Sequence, residues 1–260
     1  MIRLIATDMD GTLLKSDGKL PDRFYEVFSN LLNKGVCFAV ASGRQYHTLL
    51  NNFSDVKDQM IFIAENGAVV MKQQKELFSR VLERHMIEAI INDVRNAEKY
   101  DIVLCGKRSA YIEAYRPEFN AEVTKYYHMC EKVQDLLSID DEILKIAVYD
   151  YDGSEENSYQ EFYPKWGSTM NVIVSGKHWM DFGRQDVDKG VALRFLQDSL
   201  GVTADETMVF GDYYNDVSMM EAAYYSYAME NAPEGVKAKA RFIAPSNSEE
   251  GVMKVINKLF

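Results

Sequence analysis

Asp8 and Asp10 come directly after an apolar run, Ile2 to Thr7, and are followed by Gly11 and Thr12. If the strand continued, the two carboxylates would project from one face, roughly 7 Å apart. Gly11 predicts a turn instead, one that lets the backbone fold over a bound ion so that one carboxylate attacks while the other exchanges protons. A second acidic group, Asp212 with Asn215 and Asp216, follows another apolar run that ends at Gly211. Carboxylates gathered this closely repel one another unless a cation lies among them. The donors are hard oxygens with no His or Cys partner, which points to magnesium. A surface turn rich in turn formers would also read Asp-x-Asp-Gly-Thr. With each residue type at about 5–7% usage, that pattern arises by chance in a chain of this length on the order of once in 300.

Two further segments carry groups suited to a phosphate. Ser42-Gly43-Arg44 follows a strand and opens a helix, so its backbone N–H groups and the Ser42 hydroxyl could hold a phosphate against the helix dipole. Ser42 as an ordinary helix cap is the alternative. Lys189 opens the helix that begins at Asp188-Lys189-Gly190. It is either a solvated charge or the cation that a phosphate site in an acidic protein requires. Asp212 to Asp216 could likewise cap a helix, and capping and metal binding are compatible.

The elements that must position these groups can be read from hydrophobic periodicity. Ile2–Thr7, Val36–Ala41, Met60–Ala64, Glu206–Phe210 and Tyr225–Met229 read as buried strands, alternating with helices from Pro21, after Arg44, over Lys189–Leu200 and over Asn215–Ala223. Glu65-Asn66-Gly67-Ala68 predicts a turn into Val69-Val70-Met71 and hence a hairpin. Between about 83 and 183 the rhythm changes. Helices are expected at Glu83–Glu98, Phe119–Cys130 and Ser154–Tyr163. Strands are expected at Ile102–Cys105, Ala110–Ala114, Leu144–Val148, Thr169–Val174 and His178–Phe182. The fold class is therefore α/β: a doubly wound parallel sheet built from residues 1–82 and 184–260, interrupted by an α+β insert, 83–183. Ligands of such sheets bind beyond the carboxyl ends of the strands, where Asp8, Asp10, Ser42 and Asp212 should converge.

Composition narrows the function classes. The chain has 260 residues, a formal net charge of -11 and 47% hydrophobic residues. It is long enough for two cores, and its field repels nucleic acid and anionic lipid. Neither is expected as a partner. An anionic substrate would also be repelled at long range, so the site must supply local cations and N–H donors. Cys37, Cys105 and Cys130 show no paired spacing, which argues against a zinc site or a disulfide framework. The segment after Met1 lacks the pattern of a signal peptide, and no stretch is apolar enough to span a bilayer. A cytoplasmic protein, monomeric or weakly self-associating, is expected.

Taken together, Asp8-Met9-Asp10-Gly11-Thr12-Leu13-Leu14, Ser42-Gly43-Arg44, Lys189-Gly190 and Gly211-Asp212-Tyr213-Tyr214-Asn215-Asp216 resemble the four motifs of the haloacid dehalogenase-like phosphohydrolases. The resemblance is closest to the Cof-type branch, whose large α+β cap is inserted into a Rossmann-like core between the second and third motifs. Glu65-Asn66-Gly67-Ala68 and Asn231-Ala232 also look like segments of that branch. The resemblance implies a phosphatase acting on a small phosphorylated metabolite, with Asp8 as the nucleophile and Asp10 as the general acid and base. It implies magnesium held by Asp8, Asp10 and Asp212, with Asp216 and Asn215 supporting, and phosphate held by Ser42, Gly43 and Lys189. Asn231 and Arg44 are further candidates, each with a structural alternative. Tyr213 and Tyr214 are unusually bulky for motif four. In the insert, Tyr111, Glu113, Tyr115, Arg116, His128, Lys145, His178 and Asp181 are unranked candidates for substrate contact. Phosphotransfer between sugar hydroxyls, as in the related phosphomannomutases, and non-catalytic sensing of a phosphate ester are the other readings. Retention of both Asp8 and Asp10 argues against the sensor.

Overall fold

A computed structural model describes residues 1–113 and 116–260. The strands are β1 Leu4–Thr7, β2 Cys37–Ala41, β3 Ile61–Ala64, β4 Val69–Lys72, β5 Lys75–Ser79, β6 Tyr100–Gly106, β7 Ala110–Ile112, β8 Cys130–Lys132, β9 Ile143–Asp150, β10 Met170–Gly176, β11 Trp179–Arg184, β12 Thr207–Gly211, β13 Tyr225–Met229 and β14 Phe242–Ala244. The helices are α1 Phe24–Asn33, α2 Tyr46–Asn52, α3 Arg84–Ala97, α4 Pro117–Tyr126, α5 Ser158–Trp166, α6 Lys189–Leu200, α7 Val217–Glu221, α8 Glu234–Lys237 and α9 Gly251–Leu259. They fall into two compact units. One comprises Met1–Ser42, Asp55–Phe78 and Asp188–Phe260, and the other Gly43–Ser54 with Ser79–Val187.

The first unit is built on an eight-stranded sheet in the order β14-β13-β12-β1-β2-β3-β4-β5. Its run from β14 to β3 is parallel, and β3–β4 is the expected antiparallel hairpin. β1 lies between β2 and β12, so the chain leaves it in one direction and returns on the other side much later. This is the switch point at which a crevice opens beyond the strand ends. Its central strands β1, β2, β3 and β12 are buried on both faces, consistent with their near-continuous apolar runs. α6 covers one face through Ala192, Leu193 and Leu196, which join Leu4, Ala39, Ile61 and Val209 in one core cluster. Asp188 caps α6 by accepting a bond from the Val191 N–H at 2.7 Å, and Gly201 ends it in the left-handed conformation.

The second unit carries a six-stranded sheet in the order β10-β11-β9-β6-β7-β8. It is antiparallel except for the parallel pair β7–β8. α3 and α5 supply apolar side chains to the cluster on one face, and α4 to the cluster on the other. Among the described residues no helix is long and apolar enough to cross a membrane.

Three sequence expectations need correction. The helix expected over Phe119–Cys130 ends at Tyr126, and Cys130 begins β8. Tyr127 leaves helical angles, and the N–H groups of His128 and Met129 donate to the side chains of Thr48 and Gln45 instead of to helix carbonyls. The helix expected at Ser154–Tyr163 starts at Ser158, whose N–H is held by the distant Asp150 carboxylate at 2.9 Å. Asn215–Ala223 is not one helix but a short turn, Tyr214–Asp216, followed by α7. Ala114, at the end of the expected strand Ala110–Ala114, and the candidate Tyr115 lie outside the described residues.

Because α6 carries Lys189 and is docked by fully buried leucines, Leu193→Ala should lower unfolding free energy by about 2–5 kcal/mol. Urea denaturation followed by circular dichroism measures this; a change below about 0.5 kcal/mol would show that the core relaxes around the loss.

Candidate active site

Asp8 follows the last residue of β1, and its N–H donates to the Phe210 carbonyl of β12. Beyond it the chain makes a wide turn, Met9–Leu13, in which Asp10 and Gly11 depart from helical angles. Gly11 has φ +81°, and a Cβ there would lie 2.2 Å from Asp212 Oδ2. Only glycine lets the first acidic segment approach the second this closely. Asp10 is exposed, whereas Asp8 is buried.

Lys189 reaches from the first turn of α6 to both acidic segments. Its Nζ is 2.6 Å from Asp8 Oδ1 and 2.6 Å from Asp216 Oδ1, and its side chain is fully buried. Asp216 uses its other oxygen to accept the N–H groups of Asp212 and Tyr213, at 2.9 and 3.1 Å. It therefore braces the loop that presents Asp212. Thr12 donates to Asp212 Oδ1 at 2.9 Å, tying the first motif to the last. Oxygens of Asp8, Asp212 and Asp216 lie within 4.8 Å of one another.

The charges do not balance within this cluster. One lysine faces three carboxylates in a buried setting. Burial pushes the Asp8 carboxyl well above the usual range; Lys189 opposes the rise, and Asp216 and Asp212 add to it. Asp212 is pushed up to about 6, by burial first and by Asp216 second. Burial favours the neutral form of Lys189, but Asp216 and Asp8 outweigh it and hold the ammonium charged above its ordinary range. The deficit is of positive charge, and the donors are carboxylate oxygens. A hard divalent cation fits both observations.

The rest of the rim is held by bonds to the backbone and by one side-chain pair, Asn215 with Asn66. Ser42, buried at the end of β2, donates its N–H to Ile63 and accepts from the Asn66 N–H at 3.0 Å. It is not the cap of α2, which begins only at Tyr46. Glu65, Asn66 and Gly67 all have positive φ, an unusual run for the two non-glycine residues. Gly67 brings this segment against the start of α6, where a Cβ would lie 2.2 Å from the Asp188 carbonyl oxygen. Asn215 donates to Asn66 at 3.1 Å. Asn231 donates to the Gly11 carbonyl at 2.8 Å and accepts from the Asn247 N–H at 3.1 Å, so its amide pins the turn that carries Asp10.

Tyr213 and Tyr214 pack edge to face and stay exposed. In the second unit, Gly43 and Arg44 are half-buried. Lys145 pairs with Asp181. Tyr111 donates to Asp141, Glu113 pairs with Arg95, Arg116 stacks on Tyr151, and His178 meets the Asp150 carbonyl. Thr12, Asn66 and Asn247 were not singled out from sequence. Thr12 and Asn66 lie inside quoted motifs, but the partner of each is about 150 to 200 positions away.

Residues 5–256 match the family model of the haloacid dehalogenase-like hydrolases. The chain is 34% identical over 261 residues to the 5-amino-6-(5-phospho-D-ribitylamino)uracil phosphatase YbjI of Escherichia coli, covering 99% of this chain and 96% of that one. It is 27% identical over 255 residues to the Bacillus subtilis protein YcsE, named for the same activity, covering 98% and 94%. The crystal structure of SMU.1108c from Streptococcus mutans superposes with a TM-score of 0.92 at 30% identity, covering 100% of this chain and 99% of that one.

Removing the central cation should be costly. Lys189→Met leaves Asp8 and Asp216 buried without their partner, and we expect a loss of about 3–5 kcal/mol at neutral pH in urea denaturation. A second expectation follows from Asp212. Its raised carboxyl stabilises the metal-free fold below the unfolded value of about 3.9, and that contribution is lost as pH rises through about 6. In chelator, the stability difference between the parent and Asp212→Asn should therefore shift against the parent between those limits. Magnesium affinity, measured by calorimetry, should fall as pH drops below about 6. A flat affinity from pH 5 to 7 would contradict this.

Proposed function

The chain belongs to the haloacid dehalogenase-like hydrolases, and on that premise we propose that it is a magnesium-dependent phosphatase of small phosphorylated metabolites, sugar or sugar-alcohol phosphates foremost. The observation that carries the reading is the buried Asp8 carboxylate, gripped by Lys189 beside Asp212 and Asp216 at the switch point of the sheet. The substrate class draws on the E. coli and B. subtilis relatives, both named for a ribityl phosphate ester. A cytoplasmic setting accords with such a substrate.

Asp8 is proposed to attack phosphorus in line, displacing the alcohol and forming an aspartyl-phosphate. Lys189 holds the attacking carboxylate in one orientation and offsets charge on the transferring phosphoryl group. Asp10, exposed on the turn after the nucleophile, gives a proton to the leaving oxygen and then takes one from the water that hydrolyses the intermediate. Ser42 and Gly43 are proposed to bind phosphoryl oxygens, with Arg44 as a supporting cation. Asn231 and Asn215 act by fixing the Gly11 turn and the motif-four loop. Magnesium, held by Asp8, Asp212 and the Asp10 segment and braced by Asp216, would supply charge stabilisation for the phosphoryl oxygens. Residues 1–82 and 184–260 are assigned the chemistry, and the insert 83–183 the choice of substrate.

Phosphate release from a panel of sugar phosphates, ribityl phosphates, nucleotides and pyridoxal phosphate, with magnesium or chelator, tests the reading. We expect release that requires magnesium, is abolished in Asp8→Asn, and falls about 10²–10⁴-fold in Asp10→Asn. Release that persists in Asp8→Asn would refute the assigned nucleophile. Phosphate transfer to an added sugar in place of release would establish a transferase.

A further inference from the structure

Two charged side chains, Lys145 and Asp181, are buried side by side on one face of the six-stranded sheet. Lys145 of β9 is in register with Cys105, and Asp181 of β11 with Ala147, so both share the face formed by Val103, Cys105 and Ala147. Their side chains are 7% and 4% exposed, and Lys145 Nζ lies 3.0 Å from Asp181 Oδ2. The same Nζ donates to the Gly43 carbonyl at 2.9 Å. Gly43 is the middle residue of Ser42-Gly43-Arg44, so this bond carries a buried charge of the insert to the second motif.

Stability does not account for such a pair. Desolvating an ammonium and a carboxylate on a sheet face costs as much as their attraction returns, and a well-packed apolar pair serves at least as well. The pair instead delivers a fixed, charged donor to one carbonyl. Glycine has the widest backbone freedom of any residue, so Gly43 is the point in this loop that most needs an external grip. The peptide that follows it is planar and trans, so fixing the Gly43 C=O also fixes the opposite direction of the Arg44 N–H. Asp181 keeps the long lysine stem in one orientation and prevents it from losing its proton in a buried site.

We propose that Lys145, held by Asp181, is a positioning residue for phosphate recognition: it sets the orientation in which the Gly43–Arg44 backbone meets a phosphate oxyanion. The identity of the ligand rests on the phosphatase reading; the clasp itself does not.

The test uses the full chain and three variants: Lys145→Met, Lys145→Arg, and the double variant Lys145→Met with Asp181→Leu. The double variant removes both members of the Lys145–Asp181 pair together and is expected to unfold in urea less easily than Lys145→Met, which leaves the Asp181 carboxylate without the lysine. Inorganic phosphate binding in the presence of magnesium is measured by calorimetry, independently of turnover, and kcat and KM are measured on the best substrate. We expect phosphate to bind about tenfold more weakly in both Met variants, the size of one charge-assisted hydrogen bond, with partial recovery in Lys145→Arg. Parent-like phosphate affinity and kcat/KM in the folded double variant would overturn the clasp and leave the phosphatase reading intact. Lysine-dependent phosphate binding in a parent with no turnover would support the clasp and remove the phosphatase reading. A parent that neither binds phosphate nor releases it would overturn both.

Discussion

Lys189 sits fully buried between Asp8 and Asp216, and the acidic cluster depends on it. A carboxylate placed at the end of a buried parallel strand is expensive, because burial favours its neutral form. Lys189 reduces that cost for Asp8 and Asp216 together, and Asp216 uses its remaining oxygen to hold the backbone on both sides of the Asp212–Tyr213 peptide. One ammonium thus fixes Asp8 and, through Asp216, the loop that presents Asp212. The balance stays incomplete by design: three acids and one base leave room for a divalent cation, and the raised carboxyls of Asp8 and Asp212 are the consequence of that deficit.

The architecture around this ion pair can be understood as what is needed to bring Lys189 there. α6 is docked on the sheet by Leu193 and Leu196 and capped by Asp188, which sets the height of its first turn. Gly67 allows the Glu65–Gly67 segment to press against that turn, and Gly11 allows the Asp10 loop to press against Asp212. Both glycines occupy positive φ at contacts where a side chain would collide. Asn231 and Asn247 then hold the far side of the Gly11 loop through backbone groups. Several bonds of the polar rim run to main-chain atoms, which cannot change rotamer.

The sheet strands were legible because each is a short apolar run bounded by turn residues, and the hairpin after Ala64 because Asn66-Gly67 marks it. Less was legible where distant side chains decide local structure. Asp150 sets the start of α5, and Gln45 and Thr48 end α4 early, so that Cys130 enters a strand. β5, β8 and β14, with α8, carry patterns too short or too polar to stand out. The turn between β4 and β5 places Gln73 and Gln74 at positive φ, where Asn and Gly would have announced it.

For the site, sequence alone determined the residue types and their order: acids after β1 and β12, a serine after β2, a lysine opening α6. These follow from local rules, since an apolar run that stops at a polar residue identifies a strand end whatever surrounds it. Only the tertiary structure decided which partner each group takes. It assigned Lys189 to both Asp8 and Asp216, Thr12 to Asp212, Asn231 to the Gly11 carbonyl, and Lys145 to Gly43. Those choices join residues 102 to 220 positions apart in the last two pairs and 27 to 200 in the others. Their geometry depends on strand order and helix docking, which no local spacing encodes.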